Sequence, residues 1–186
     1  MIPFPLKKYN IIYADPPWDI DAGPPWNSNQ ISLPLSYPTM SIDEIKNLPV
    51  KDISHKDAHL YLWVINAYLS DGYIIAKFWG FTPVCLVTWC KPKHGLGLGG
   101  GFVQTTEHLL FCKKGNLPIK NRIDSTYFYH KRLSHSEKPG IFREMILTIS
   151  GDHPRIELFA RQRYEGWDHW GNELSETIQK RLQTVL

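Results

Sequence analysis

Cysteine is scarce in this 186-residue sequence. The three present, Cys85, Cys90 and Cys112, are odd in number, sit in or beside apolar runs and lack paired spacing. That excludes a disulfide framework and a cysteine metal centre, and points to reduced core thiols in a cytoplasm. No apolar run approaches the roughly 20 residues that a membrane helix needs, and Met1 to Lys8 has no secretory h-region, so neither a membrane nor export is expected. Repeats, heptads and low-complexity tails are missing too, which excludes solenoids and coiled coils. His130, His135, His153 and His169 lack ligand spacing, so no metal is expected. Charge is nearly balanced, 21 Lys and Arg against 18 Asp and Glu, and a net +3 permits a polyanionic partner without demanding one. With 42% hydrophobic residues the chain has the composition and length of one ordinary globular domain, 1–186, and no room for a second.

What is present is organised around Asp15-Pro16-Pro17-Trp18. Asn10-Ile11-Ile12-Tyr13-Ala14 is rich in β-branched and aromatic residues without alternation, the pattern of a strand buried on both faces of a parallel sheet. An acid therefore stands at a strand's carboxyl end, where open α/β sheets bind ligands. Two prolines fix φ and remove two N–H donors, while the Asp15 carboxylate and the Pro16 carbonyl both offer acceptors. Such a place suits an amino group with two hydrogens to donate. Trp18 adds a flat apolar surface able to stack on a planar ring.

The other elements follow in order. Asp19 to Pro34 reads as a loop, with Trp26 in its middle as a stacking candidate. Ser41-Ile42-Asp43-Glu44 is a capping box opening a short helix to Leu48. A strand from Ala58 to Ile65, a helix from about Ala67 to Trp79 and a strand from Pro83 to Cys90 form a β-helix-β succession implying parallel strands. Gly95-Leu96-Gly97-Leu98-Gly99-Gly100 satisfies G-x-G-x-x-G but precedes the β-rich Phe102 to Cys112, so it joins antiparallel strands and is no dinucleotide site. Tyr127-Phe128-Tyr129 reads as a short strand, Gly140 to Ser150 as a helix, Pro154 to Arg161 as the last buried strand, and the chain closes on an amphipathic helix to Leu186.

Asp-Pro-Pro-Trp has the form of the [D/N]-P-P-[Y/F/W] motif of amino-methyltransferases, and with Trp in fourth place the chain resembles the MT-A70 family of adenine N6-methyltransferases. Tyr37-Pro38-Thr39-Met40-Ser41, Leu60 to Val64, Phe78 to Phe81, Glu107-His108 and Ile156-Glu157-Leu158-Phe159-Ala160-Arg161 with the later Trp170-Gly171-Asn172 are similar to the family in the same order. Arg132-Leu133-Ser134-His135-Ser136-Glu137-Lys138-Pro139 resembles its bacterial or phage members. The chain departs at Arg163-Tyr164, where the family carries His-Asn, and lacks the usual Asp-Ile segment ahead of the first strand.

The resemblance implies a Rossmann-like, doubly wound α/β sheet, mostly parallel, with the cofactor strand after the catalytic one. It implies S-adenosyl-L-methionine as cofactor, held by Asp15, Lys138, Glu157, Phe159, Arg161, Asn172 and Glu173. Asp15, Pro16, Pro17 and Trp18 would form the catalytic motif, and Trp18, Tyr37, Glu107 and Lys138 would meet the substrate. The target is adenine in nucleic acid, DNA before RNA, in the cytoplasm of a bacterium or phage-infected cell. The alternative class is an inactive methyltransferase fold serving as a nucleic-acid-binding scaffold. Phosphate contacts are expected from Lys91, Lys93, Lys120, Arg122, Lys131 and Arg132, with His94 beside them. Because little chain remains for base-edge contacts, a homodimer or partner subunit is the expected source of further surface.

Overall fold

The structure, a computed structural model, describes residues 3–19, 38–92, 102–131, 138–172 and 174. The expectations for Trp26, Tyr37, Lys93, His94, the Gly95 to Gly100 loop, Arg132, His135, Glu173 and the helix running to Leu186 lie outside the described residues.

Seven strands are described: β1 (Tyr9–Ala14), β2 (Ser54–Val64), β3 (Thr82–Cys90), β4 (Thr106–Lys114), β5 (Tyr127–Tyr129), β6 (Arg155–Leu158) and β7 (Asp168–Trp170). They form one sheet in the order β5-β3-β4-β2-β1-β6-β7. Strand β1 pairs in parallel with β2 and β6, β3 with β5, and β6 with β7. Only β4 runs against its neighbours, β2 and β3. This is a Rossmann-like, mostly parallel α/β sheet.

Helices cover both faces. On one, α1 (Ile42–Lys46), α2 (Val50–Ile53) and α3 (Leu69–Phe78) bury Ile45, Val50, Ile53, Ile75 and Ala76 against Ile12, Leu60, Leu62 and Val64. On the other, α4 (Ile141–Ser150) lays Phe142, Met145 and Ile146 on Ile11, Tyr13, Tyr61 and Trp63. Each fully buried aliphatic or aromatic side chain contributes about 1.5–3 kcal/mol, and continuous apolar strands follow from this two-sided burial. Ser41 and Glu44 form the capping box at α1. Gly72 admits α3 to β2, since a Cβ there would lie 2.3 Å from Val64 Cγ1. Pro83 is tolerated in β3 because the register shifts between it and Cys85.

Several boundaries differ from the sequence expectation. Strand β2 starts at Ser54, and residues Asn66–Tyr68 are a 3-10 turn ahead of α3. Strands β2 and β3 point the same way, but β4 lies between them and supplies their hydrogen bonds. The strand expected to run from Pro154 to Arg161 stops at Leu158, because Phe159 takes φ 62°, outside the extended region, and a short, mostly uncovered strand, β7, follows it. The chain reaches β2 over the α1–α2 face and β6 over the α4 face, so β1 sits where the connections diverge. The crevice at such a switch point opens beside Asp15.

Candidate functional site

At the end of β1 the two prolines force an abrupt turn. The Trp18 amide donates to the Pro16 carbonyl at 2.9 Å, and the Met40 amide donates to the Pro17 carbonyl at 2.9 Å. A Trp18–Met40 bridge thereby staples this turn to the residue preceding the Ser41 cap. Trp18 itself is 4% exposed, stacks on Tyr68 with centroids 5.4 Å apart, and donates its indole N–H to the Trp63 carbonyl at 3.2 Å. This corrects the expectation that Trp18 stacks a substrate base: its ring belongs to the core and braces the turn from below. The Pro16 carbonyl already accepts one hydrogen bond and keeps a second lone pair.

Four charged side chains from three strand ends and the start of α4 form an alternating string. Lys138 Nζ donates to Asp15 Oδ2 at 2.7 Å and lies 3.3 Å from Glu107 Oε2, while Lys91 Nζ donates to Glu107 Oε1 at 2.6 Å. Beneath them, Lys138 sits over the Trp63 ring at 5.1 Å and Lys91 over the Trp89 ring at 5.3 Å. Burial raises the Asp15 carboxyl above the usual carboxylate range, against the opposing pull of Lys138. Burial works against the charge of Lys138 too, but Asp15 and Glu107 together hold its ammonium above the ordinary lysine value. Glu107 is held low, since Lys138 and Lys91 outweigh its burial. The expectation that Lys91 contacts phosphate is corrected: at 5% exposure and against Glu107 it is instead part of this string.

Next to Asp15 opens a cleft lined by Pro17, Pro38, Met40, Phe159, Arg161, Trp170, Gly171 and Asn172. Phe159 turns into it through its positive φ, a conformation that non-glycine residues adopt mainly where surrounding structure enforces it. Its ring packs edge-on against Trp170 at 5.5 Å. Glu157 does not join the cleft. It lies on the α4 face, 6% exposed, with Arg143 Nε and Nη2 donating to its two carboxylate oxygens at 2.9 and 2.7 Å. The cofactor role expected for Glu157 is thus replaced by a buried, forked ion pair that ties α4 to β6.

The MT-A70 family model matches residues 9–173, from the first strand through the cleft. The chain belongs to the MT-A70 family. It is 31% identical to the Type II methyltransferase M.MunI of a Mycoplasma species, over 92% of this chain and 80% of that protein. It is 30% identical to a rice probable N(6)-adenosine-methyltransferase MT-A70-like protein, over 91% of this chain and 24% of that one. To the human N(6)-adenosine-methyltransferase catalytic subunit METTL3 it is 29% identical, over 91% of this chain and 29% of that protein. The chain thus spans most of M.MunI but only about a quarter of the longer relatives.

This MT-A70 chain is a methyltransferase, and its motif residues converge. Asp15, Glu107 and Lys138 meet within hydrogen-bonding reach, and Asp15, Phe159, Arg161 and Asn172 share one cleft. Nothing in the sequence points Lys91 to Glu107 or sets tryptophans under the lysines, because basic or apolar character carries no signal of position. Pro38, Met40 and Trp170 had a signal, their place in stretches that resemble the family.

Proposed function

We propose that this chain transfers a methyl group from S-adenosylmethionine to the exocyclic N6 of adenine in a nucleic acid. The observation that carries this reading is a largely buried carboxylate, Asp15, at the carboxyl end of β1, held by a lysine that an amine can replace. The flanking cleft fits the cofactor's chemistry: flat apolar walls from Phe159, Pro38, Met40 and Trp170, and polar groups from Arg161 and Asn172 for hydroxyls and charge. When bound there, S-adenosylmethionine supplies an electrophilic methyl on a sulfonium. An aryl amine's lone pair is delocalised into its ring, so acceptors must hold its hydrogens to localise the pair. Asp15 accepts one N–H and the second lone pair of the Pro16 carbonyl accepts the other, and pre-placed acceptors of this kind need no reorganisation at the moment of transfer. Methylation would require the nitrogen to lose a proton, and Asp15, its carboxyl raised by burial, stands where that proton would leave.

DNA is the preferred substrate and RNA the alternative. The support is the bacterial or phage form of the His-Ser-x-Lys-Pro stretch, together with the length match to M.MunI, a Type II methyltransferase. The base has to leave its stack to reach a strand-end cleft, at a cost of a few kcal/mol in a duplex and less in a single strand. An inactive scaffold would have no use for the Asp15 string, which disfavours that reading. Lys120, Arg122 and Lys131 are exposed and suited to phosphates, while base-edge contacts call for added surface from a second copy or a partner subunit.

The test is incubation with methyl-labelled S-adenosylmethionine and single- and double-stranded DNA and RNA, followed by digestion and identification of the nucleoside. N6-methyladenine is the expected product. Label found only in N4-methylcytosine would overturn the adenine assignment.

A further inference from the structure

Glu107 carries one negative charge but faces two ammonium groups, and it divides between them unequally. Its Oε1 lies 2.6 Å from Lys91 and its Oε2 lies 3.3 Å from Lys138. Lys138 in turn leans toward Asp15, at 2.7 Å. The Lys91 side chain is 4% exposed, deeper than any other member of the string, and it lies against Trp89. A lysine so far from water and this close to a carboxylate is costly unless paired, and a buried pair is weak evidence for stability alone. Its place in the string suggests another use. Two cations and two anions leave the string neutral, and the Lys91 charge decides how much of the Lys138 charge remains for Asp15.

We propose that Lys91 is a positioning residue for methyl transfer, neutralising Glu107 so that, until the amine arrives, Lys138 rests on Asp15 and keeps that carboxylate ionised. This rests on the methyltransferase reading above. Without the Lys91 charge, Lys138 alone serves two carboxylates, it shifts toward Glu107, and Asp15 gains a proton at higher pH. The other charged groups bearing on Asp15 are Arg161, which also favours its ionised form, and Glu157. Glu157 is matched by Arg143, so neither replaces Lys91.

Two measurements on Lys91→Met, Lys91→Gln and Lys91→Arg test this. The first is the pH dependence of kcat/KM for methylation, whose acidic limb reports the free enzyme's essential carboxylate. In Lys91→Met and Lys91→Gln it should move up by about 1 pH unit, the size expected when a charge partner is withdrawn, and Lys91→Arg should restore it. The second, independent of activity, is an NMR titration of the Asp15 and Glu107 carboxyl carbons, in which the neutral variants should titrate higher than the parent. Carboxyl titrations unmoved in either folded neutral variant would overturn the role of Lys91. If the titrations move but the parent methylates no adenine under any condition, the linkage stands and the adenine reading falls. If they move and the acidic limb does not, Lys91 has no positioning role in the reaction.

Discussion

Lys138 Nζ sits 2.7 Å from Asp15 Oδ2, in the place that the proposed substrate amine must take. Glu107, 3.3 Å from the same ammonium, offers the lysine a second seat. Substrate binding then exchanges one hydrogen-bond donor at Asp15 for another instead of uncovering a bare buried carboxylate, which would carry a desolvation penalty of several kcal/mol.

Replacing the acceptor is the most direct test of that relationship. Asp15→Ala should lose on the order of 100-fold or more in methyl-transfer rate, the usual consequence of removing one pre-placed transition-state hydrogen bond. Circular dichroism should show the fold intact, because Asp15 lies just past the last hydrogen-bonded residue of β1. Near-normal turnover in a folded Asp15→Ala protein would dismiss the mechanism.

The Arg143–Glu157 pair leads to a different outcome. Glu157→Ala leaves a guanidinium buried with its forked partner gone, and breaking a buried pair from one side costs about 3–5 kcal/mol. Urea unfolding should therefore show a large stability loss. Unchanged stability combined with weakened cofactor binding would restore Glu157 to the cofactor site.

Asn172→Ala should weaken S-adenosylmethionine binding by about tenfold, the worth of one hydrogen bond of roughly 1.4 kcal/mol, with a smaller effect on nucleic-acid binding. Calorimetry with each ligand separates the two, and unaltered cofactor affinity would remove Asn172 from the proposed site.

Acid should destabilise the fold through His59. Its Nε2 faces the Leu117 carbonyl at 3.2 Å and its Nδ1 faces Ser150 Oγ at 2.8 Å, with the Tyr61 hydroxyl 2.7 Å from the same oxygen. A carbonyl only accepts, so Nε2 carries the hydrogen, Ser150 donates to Nδ1 and Tyr61 donates to Ser150. This neutral ring is fully satisfied, and burial pushes its pKa down to about 4. The unfolded chain binds the proton near pH 6.5 and the native one only near pH 4, so stability present at neutral pH is lost as pH falls between those values. Roughly 2 kcal/mol should disappear between pH 7 and pH 5. Urea midpoints across that range should show the decline, and His59→Gln should flatten it; an equal slope in both proteins would refute the assignment.

Nucleic-acid binding should weaken steeply with salt, because exposed Lys120, Arg122 and Lys131 release counterions when they meet phosphates. Replacing all three with alanine should lower the slope of log K against log salt by up to about 3 on duplex DNA. A slope that does not change, with nanomolar affinity at physiological salt, would place the phosphate contacts elsewhere and remove the need for a second subunit.

The sequence by itself determined strand β1 and its acidic end, because a continuous β-branched run followed by Asp-Pro-Pro has few conformations open to it. It also determined the capping box at Ser41, the short strand at Tyr127 and the α4 helix, each set by local propensity and capping. The convergence of Asp15, Glu107 and Lys138 was legible only through family resemblance, since these positions lie far apart in the chain. Tertiary structure alone decided the rest, because burial and pairing depend on what neighbours a side chain across the sheet. It inserted β4 between β2 and β3, placed Trp18 on Tyr68 in the core, gave Glu157 to Arg143, and withdrew Lys91 from solvent onto Glu107. A lysine, a tryptophan or a glutamate looks the same in one dimension whether it faces water, a partner charge or a ligand.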